Sequence, residues 1–331
     1  MQRKTIQTNY LQTLDWFNNQ LVDWNSAGTV YTPDGKSVQL QQYHFSGIFD
    51  TSITSACGRY VLLYQKLGTK ALLLKNGEIL REINRSYYHA EVYEFPAAFF
   101  TRDSQTYLAH CPEKYCRIDF EDVETGEIIT RASARNPQDF FHSRLEVSPD
   151  QKSLLSKGWF WHPFDAIEWF DIEACIANPC LLDRGNDISD VTAELCSASF
   201  IDNDHILVYA SSEEARDDEA VEPILPRDLA VWNFKQDQMI QAIQVDAPMG
   251  NVFSIDRNTA WDLFEYPKIV DLATGEILEK MEGISSGKQM SSIIHHLEDL
   301  PKIAYNSQTK QVAIAKGKVI EVLTPDAYAE E

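Results

Sequence analysis

Residues 159–165 read Trp-Phe-Trp-His-Pro-Phe-Asp, placing four aromatic rings, an imidazole and a carboxylate in one short stretch. Tryptophan recurs at binding hot spots because it buries a large area and still offers a hydrogen-bond donor. The proline marks a turn, where large apolar side chains either meet a partner or close a gap between packed elements. Inward packing is expected of Trp159 and Phe160, while for Trp161 core and binding roles weigh equally. A second candidate is the segment 211–228, which carries Glu213, Glu214, Asp217, Asp218, Glu219 and Glu222 against only Arg216 and Arg227. Such acid suits a basic protein surface or a divalent cation. A calcium loop wants alternating oxygen ligands and a glycine at its sharp turn, and this segment has no glycine, so a solvated, mobile loop is the leading reading, ahead of a contact with a basic protein surface. His295-His296 offers a ligand or base, but neighbours on a strand point to opposite faces, so only one can serve a given site. A surface or core role is expected of both. Nucleotide, phosphate-loop, zinc-protease and serine-hydrolase signatures are missing from the sequence.

The six cysteines include two pairs with the same spacing, Cys111/Cys116 and Cys175/Cys180. Zinc ribbons use a tighter spacing, so buried thiols acting as small apolar residues are expected instead. Asn84-Arg85-Ser86 fits a glycosylation sequon, which matters only in a secretory compartment.

Composition narrows the partners. Of 331 residues, 29 are Lys or Arg and 50 are Asp or Glu, a net charge of −21, while 44% are hydrophobic. That apolar share supports a folded core. The charge argues against nucleic acid, whose affinity comes from basic side chains on phosphates, and against anionic membrane surfaces. It favours a basic partner or simple solubility. The first residues lack the apolar run of an export signal, and no stretch is apolar enough to span a bilayer as a helix, so a cytoplasmic protein is expected.

The elements that must position these residues recur. A polar turn precedes a strand at Cys57-Gly58-Arg59, Arg102-Asp103-Ser104, Ser148-Pro149-Asp150, Asp202-Asn203-Asp204, Asp256-Arg257-Asn258 and Asn306-Ser307-Gln308. A second strand then ends in an acid or amide and a tight turn, as in Asp122-Val-Glu-Thr-Gly-Glu and Asp271-Leu-Ala-Thr-Gly-Glu. Aligned at Leu73, Asp122, Asp171, Asn233 and Asp271, the units are spaced by 49, 49, 62 and 38 residues. Units of that size with about four strands each predict a radial all-β repeat, a β-propeller. The Asp-x-x-Thr-Gly-Glu turn resembles the outer hairpin of bacterial propeller blades related to the WD40 superfamily, over residues 49 to 325. The Gly-His and Trp-Asp signatures of WD40 repeats are absent, so the resemblance is one of blade grammar and brings no partner or substrate with it.

Six blades are expected, or seven if the hairpin at 30–43, with its Pro33-Asp34-Gly35 turn, begins a blade of its own. The last unit lacks an outer strand, and that hairpin is expected to supply it. Residues 1–28 read as an amphipathic helix, with Tyr10, Leu14, Phe17, Leu21 and Trp24 on one face, packed on a single propeller domain of 29–331.

In a four-stranded blade every second-to-third connection leaves at the same end. The loops 110–114, 159–165, 211–228 and 264–267 would then share one rim. The candidate binding residues are Trp161, His162, Phe164, Glu213, Glu214, Asp217, Asp218, Phe264 and Tyr266, with no metal, cofactor or catalytic residue assigned. The expected function is a non-catalytic protein-binding propeller showing an acidic, aromatic face to a basic protein, in the manner of an inhibitor or immunity protein. The alternative is a carbohydrate-binding or carbohydrate-active propeller with a site near the axis.

Overall fold

The structure, a computed structural model, describes residues 1–331 apart from 33, 35, 44, 46–48, 162, 190, 212–221 and 330–331. Among the described residues, 27 strands form seven antiparallel sheets, and the one α-helix is the short Ile172–Ala177. Each sheet is a blade, labelled A to G in chain order, with the sheet that pairs Gln2–Gln7 with C-terminal strands placed last by its strand Lys302–Tyr305. The count is therefore seven, not six, and the reason lies at the N-terminus.

Residues 1–28 do not form a helix. They hold the strands Gln2–Gln7, Asp15–Phe17 and Gln20–Asp23. Asn18 and Asn19 take φ of 48° and 59°. Two successive residues in the left-handed region make the tight hairpin turn for which asparagine is suited. Trp16 thereby pairs with Leu21 and Phe17 with Gln20, so the helix-like spacing of apolar residues belongs to a hairpin. The strands Thr29–Tyr31 and Ser37–Gln39 extend this sheet and complete blade A. The missing outer strand of the last blade comes from Gln2–Gln7 instead, paired along Val319–Thr324 from Gln2↔Thr324 to Gln7↔Val319.

The chain divides into two compact units. Unit 1, residues 1–95 and 298–331, holds blades A, B (from Thr51–Thr54 to Glu78–Asn84) and G (Lys302–Tyr305, Val312–Lys316, Val319–Thr324 and Gln2–Gln7). Blade B shows how burial grades across a sheet. Its second strand, Tyr60–Tyr64, is buried at every residue, while most of its outer strand is not. Asp23 organises the core end of blade A by accepting from the backbone N–H of Gln12, Thr13 and Ser26, at 2.7, 3.0 and 3.2 Å, and from the Thr13 hydroxyl.

Unit 2, residues 96–297, holds blades C (Ala97–Arg102, Gln105–His110, Asp119–Asp122), D (Phe140–Phe141 and Glu146–Val147, Ser153–Phe160, Phe164–Asp171), E (from Leu195–Phe200 to Gln238–Gln244) and F (from Val252–Ser254 to Ile277–Lys280). Blade D has no outer strand among the described residues. The chain leaves its third strand into the helix Ile172–Ala177, capped by Asp171, whose carboxylate accepts from Ala174 N at 2.9 Å. Cys111 and Cys175 join Phe100, Phe120 and Phe170 in one apolar core. All six cysteines are thiols; Cys180, contrary to the expectation of burial for its pair, is exposed, as is Cys57 in its polar turn.

The recurring turns have one mechanism. Asp122 Oδ1 accepts from Glu124 N and Thr125 N, both at 2.9 Å, and Asp271 Oδ1 accepts from Ala273 N and Thr274 N, both at 2.8 Å. The carboxylate thus replaces a backbone partner and fixes the bend. Gly126 and Gly275 follow with φ of 77° and 73°, a region that glycine enters without steric cost.

Candidate functional site

Hydrogen bonds between the first strands of unit 2 decide whether its loops share an end. Val252 N donates to Ser197 Oγ and Ser254 N to Ser199 Oγ, each at 3.0 Å, so blades E and F run their first strands in the same direction. Between blades D and E, Arg144 donates to Cys196 O at 2.8 Å, and Phe200 N donates to Glu146 Oε1 at 3.1 Å. That is again a parallel arrangement. The second-to-third connections of these blades therefore emerge at one end, as the repeat predicts.

At that end an aromatic stack joins blades C and D. The Tyr115 ring, on the blade C connection, lies 4.2 Å from Phe141, and Phe141 stacks on Trp159 at 3.8 Å with planes 8° apart. Trp161 sits 6.0 Å from Trp159 and 6.1 Å from Phe141, inclined to them by less than 30°. Close approach of the two strands makes this packing possible, and Gly158 permits it. A Cβ on Gly158 would fall 2.1 Å from Phe141 O. Trp159 and Phe141 are buried, whereas Trp161 keeps 46% of its surface exposed. The stack thus has a fixed base and an open edge. Tyr115 is oriented by its hydroxyl, which donates to Asp139 Oδ1.

Beside the stack lies a polar hub, half-buried at Arg144 and Asn251 and buried at Asp165 and Ser292. Arg144 takes φ of 44°, a strained value for a side chain of its size. Its guanidinium reaches both Cys196 O and Asn251 Oδ1, the latter at 3.0 Å, tying blade D to blades E and F. Asp165 is 4% exposed. Burial raises its pKa, an effect that the charge of Arg144 opposes. Ser292, on the segment that follows blade F, covers it with a backbone N–H at 3.0 Å and with its hydroxyl.

On blade F, Phe264 and Tyr266 are half-buried. The Lys268 ammonium lies 4.3 Å from the centre of the Tyr266 ring and 3.0 Å from buried Asp262. Glu265, between them, pairs with Lys288 at 3.0 Å.

Of the residues expected at this face, Trp161 is exposed at the rim, and Phe164 is half-buried in a strand opposite Phe160 rather than in a loop. Phe264 and Tyr266 lie on the expected connection of blade F. His162, Glu213, Glu214, Asp217 and Asp218 lie outside the described residues. Sequence reading missed Tyr115, Phe141 and Arg144. The pair Phe140-Phe141 carried a usable signal, whereas Arg144 is marked only by its backbone conformation.

Charge adds to this picture. Unit 2 contains 16 Lys and Arg against 36 Asp and Glu, a net of −20, while unit 1 has 13 against 14, a net of −1.

No protein-family model matches the chain, and no curated protein matches it. Among solved structures, a chain in one titled "Crystal Structure of Mitotic Checkpoint Complex" is similar over 97% of this chain and 91% of its own length. The TM-score is 0.61 and the identity 10%. Likeness at that identity speaks for the fold alone, a β-propeller, which in this chain has seven blades. The described residues contain no helix long and apolar enough to cross a membrane.

Proposed function

We propose that the protein is a non-catalytic binding propeller whose unit 2 offers the Trp161 end of its blades to a basic protein surface. One observation carries the reading. An aromatic stack with a buried base ends in a half-exposed tryptophan, on a unit with a net charge of −20. A pre-ordered aromatic anchor loses little entropy on binding, and a strongly acidic surface speeds capture of a basic partner. The structural neighbour, which belongs to a complex, is consistent with a propeller used for assembly. An inhibitor or immunity role, in which the acidic insertion neutralises a basic enzyme, is the specific form we favour.

The carbohydrate reading calls for an open pocket with converging carboxylates. Asp165 and Arg144 do converge, but Asp165 is covered by Ser292, so the protein reading is preferred. Affinity capture from the native host with the wild-type chain and with Trp161→Ala tests it. A partner retained by the wild type and lost by the variant supports the proposal. An affinity that is indifferent to salt speaks against acidic capture.

A further inference from the structure

The open edge of the aromatic stack has a carboxylate at its side. In blade D, Phe140 pairs with Phe160 and Phe141 with Trp159. Asp139 comes just before the first of these strands and Trp161 just after the second, so both leave the sheet at the same end. Asp139 is exposed, and its Oδ1 accepts from the Tyr115 hydroxyl. The Tyr115 ring is in turn stacked on Phe141 at 4.2 Å, so the carboxylate is tied to the stack instead of swinging in solvent. Among the described residues Asp139 has no ion-pair partner. Arg117 and Arg135, the arginines nearest Tyr115 and Asp139 in sequence, are both committed to buried Asp119. Trp161 is 46% exposed, and its indole is inclined by 27° to Phe141 and 29° to Trp159. A flat group laid on that indole continues the stack.

An exposed indole beside a tethered, unpaired carboxylate suits one side chain above the others. The arginine guanidinium is planar, so it stacks on aromatic rings, and its edge offers paired N–H donors to a carboxylate. The lysine ammonium is a compact, strongly hydrated charge with no plane to stack. An apolar group leaves the carboxylate unanswered, and an anion meets like charge on a unit with a net of −20. We infer that Trp161 and Asp139 form a subsite for an arginine side chain of the partner. The guanidinium lies over the Trp161 indole with its edge on Asp139, and Tyr115 positions the carboxylate. The subsite rests on the reading of this end as a protein-binding surface and names the residue that the surface selects.

The test is NMR on the full chain, following the indole N–H signal of Trp161, with that of buried Trp159 as the reference. A capped Gly-Arg-Gly peptide is expected to shift the Trp161 signal saturably. The citrulline peptide keeps the plane and loses the charge, and the lysine peptide keeps the charge and loses the plane. Each is expected to bind about fivefold more weakly than the arginine peptide. Asp139→Asn is expected to weaken the arginine peptide by a similar factor, and Tyr115→Phe, which frees the carboxylate, by about twofold. Equal binding of the arginine and lysine peptides, no effect of Asp139→Asn, or no shift of the Trp161 signal overturns the inference. Loss of the arginine preference with capture through Trp161 intact defeats the subsite alone. Failure of capture with the arginine preference intact defeats the protein-binding reading alone.

Discussion

Units 1 and 2 are built from the same kind of blade, yet one is almost neutral and the other carries nearly all of the negative charge. Part of the difference is turn chemistry. In unit 1 several turns rely on amides and glycine: Asn18-Asn19, Asn76-Gly77, and Asn306, whose Oδ1 accepts from Gln308 N at 2.9 Å, although Asp34 serves one turn of blade A. In unit 2 more of the equivalent work falls to aspartate, at Asp122, Asp202, Asp256 and Asp271, each accepting backbone N–H groups in the same manner, with Asn233 serving one turn of blade E. A carboxylate and an amide oxygen serve equally well as turn acceptors, so the fold alone does not demand aspartate. These turns lie at the far end of the blades from Trp161. The charge of unit 2 is thus shared between both ends, and only the aromatic end joins it to an anchor.

The largest effect should come from the base of the stack. Trp159→Ala removes a buried indole from between its neighbours and is expected to cost about 3–5 kcal/mol in denaturant unfolding. Trp161→Ala should change stability by less than about 1 kcal/mol while weakening partner binding by about 2 kcal/mol, some thirtyfold. If both variants lost stability equally, the open edge would be ordinary core and the contrast would collapse.

Next in size is a pH effect. Burial lifts the pKa of the Glu168 carboxyl to about 7, despite a hydrogen bond from Gln138. A carboxyl with a folded pKa above its unfolded one favours the neutral form, so its ionisation lowers stability as pH rises from about 4.5 to about 7. Glu168→Gln should therefore recover on the order of 3 kcal/mol at about pH 8 and almost nothing at about pH 4. In unit 1 burial also lifts Asp15, to about 6, against a hydrogen bond from Thr54. Asp15 is only half-buried, so Asp15→Asn should show the same trend with a smaller amplitude. Unfolding measured across this range in both variants shows whether the two units share the cost of buried carboxylates.

Much of the blade pattern was legible because turn chemistry is local. Asp-x-x-Thr-Gly-Glu and the polar turns before the second strands marked six blades, and those strands lie where the repeat put them. Blade A was misread because Leu14, Phe17, Leu21 and Trp24 have helical spacing, and only the Asn18-Asn19 turn argues otherwise. The outer strand of blade G was illegible for another reason. Its partner lies some three hundred residues away, and strand pairing at that distance leaves no local trace. The stack was half legible. Trp161 stood out as an aromatic at a turn, but Phe141 reaches it from another strand and Tyr115 joins through Phe141 from the blade C connection, contacts that no spacing encodes.

The smallest expected effect bears most directly on the comparison of units. Hydrogen bonds from Thr274 N and Ala273 N, which outweigh a small burial effect, hold the Asp271 pKa below the ordinary carboxylate value. A lowered folded pKa contributes stability above the unfolded value, and that contribution fades as pH falls through the folded one. Asp271→Ala removes the acceptor and should cost about 1 kcal/mol, whereas Asp271→Asn keeps an oxygen in place and should stay within about 0.5 kcal/mol. The triple change Asp122→Asn/Asp256→Asn/Asp271→Asn then removes three charges from the turn end at little structural cost. If the acid there serves only turns and solubility, the salt dependence of partner association will not move. If association slows measurably, both ends of unit 2 steer the partner, and the face that matters is wider than the neighbourhood of Trp161.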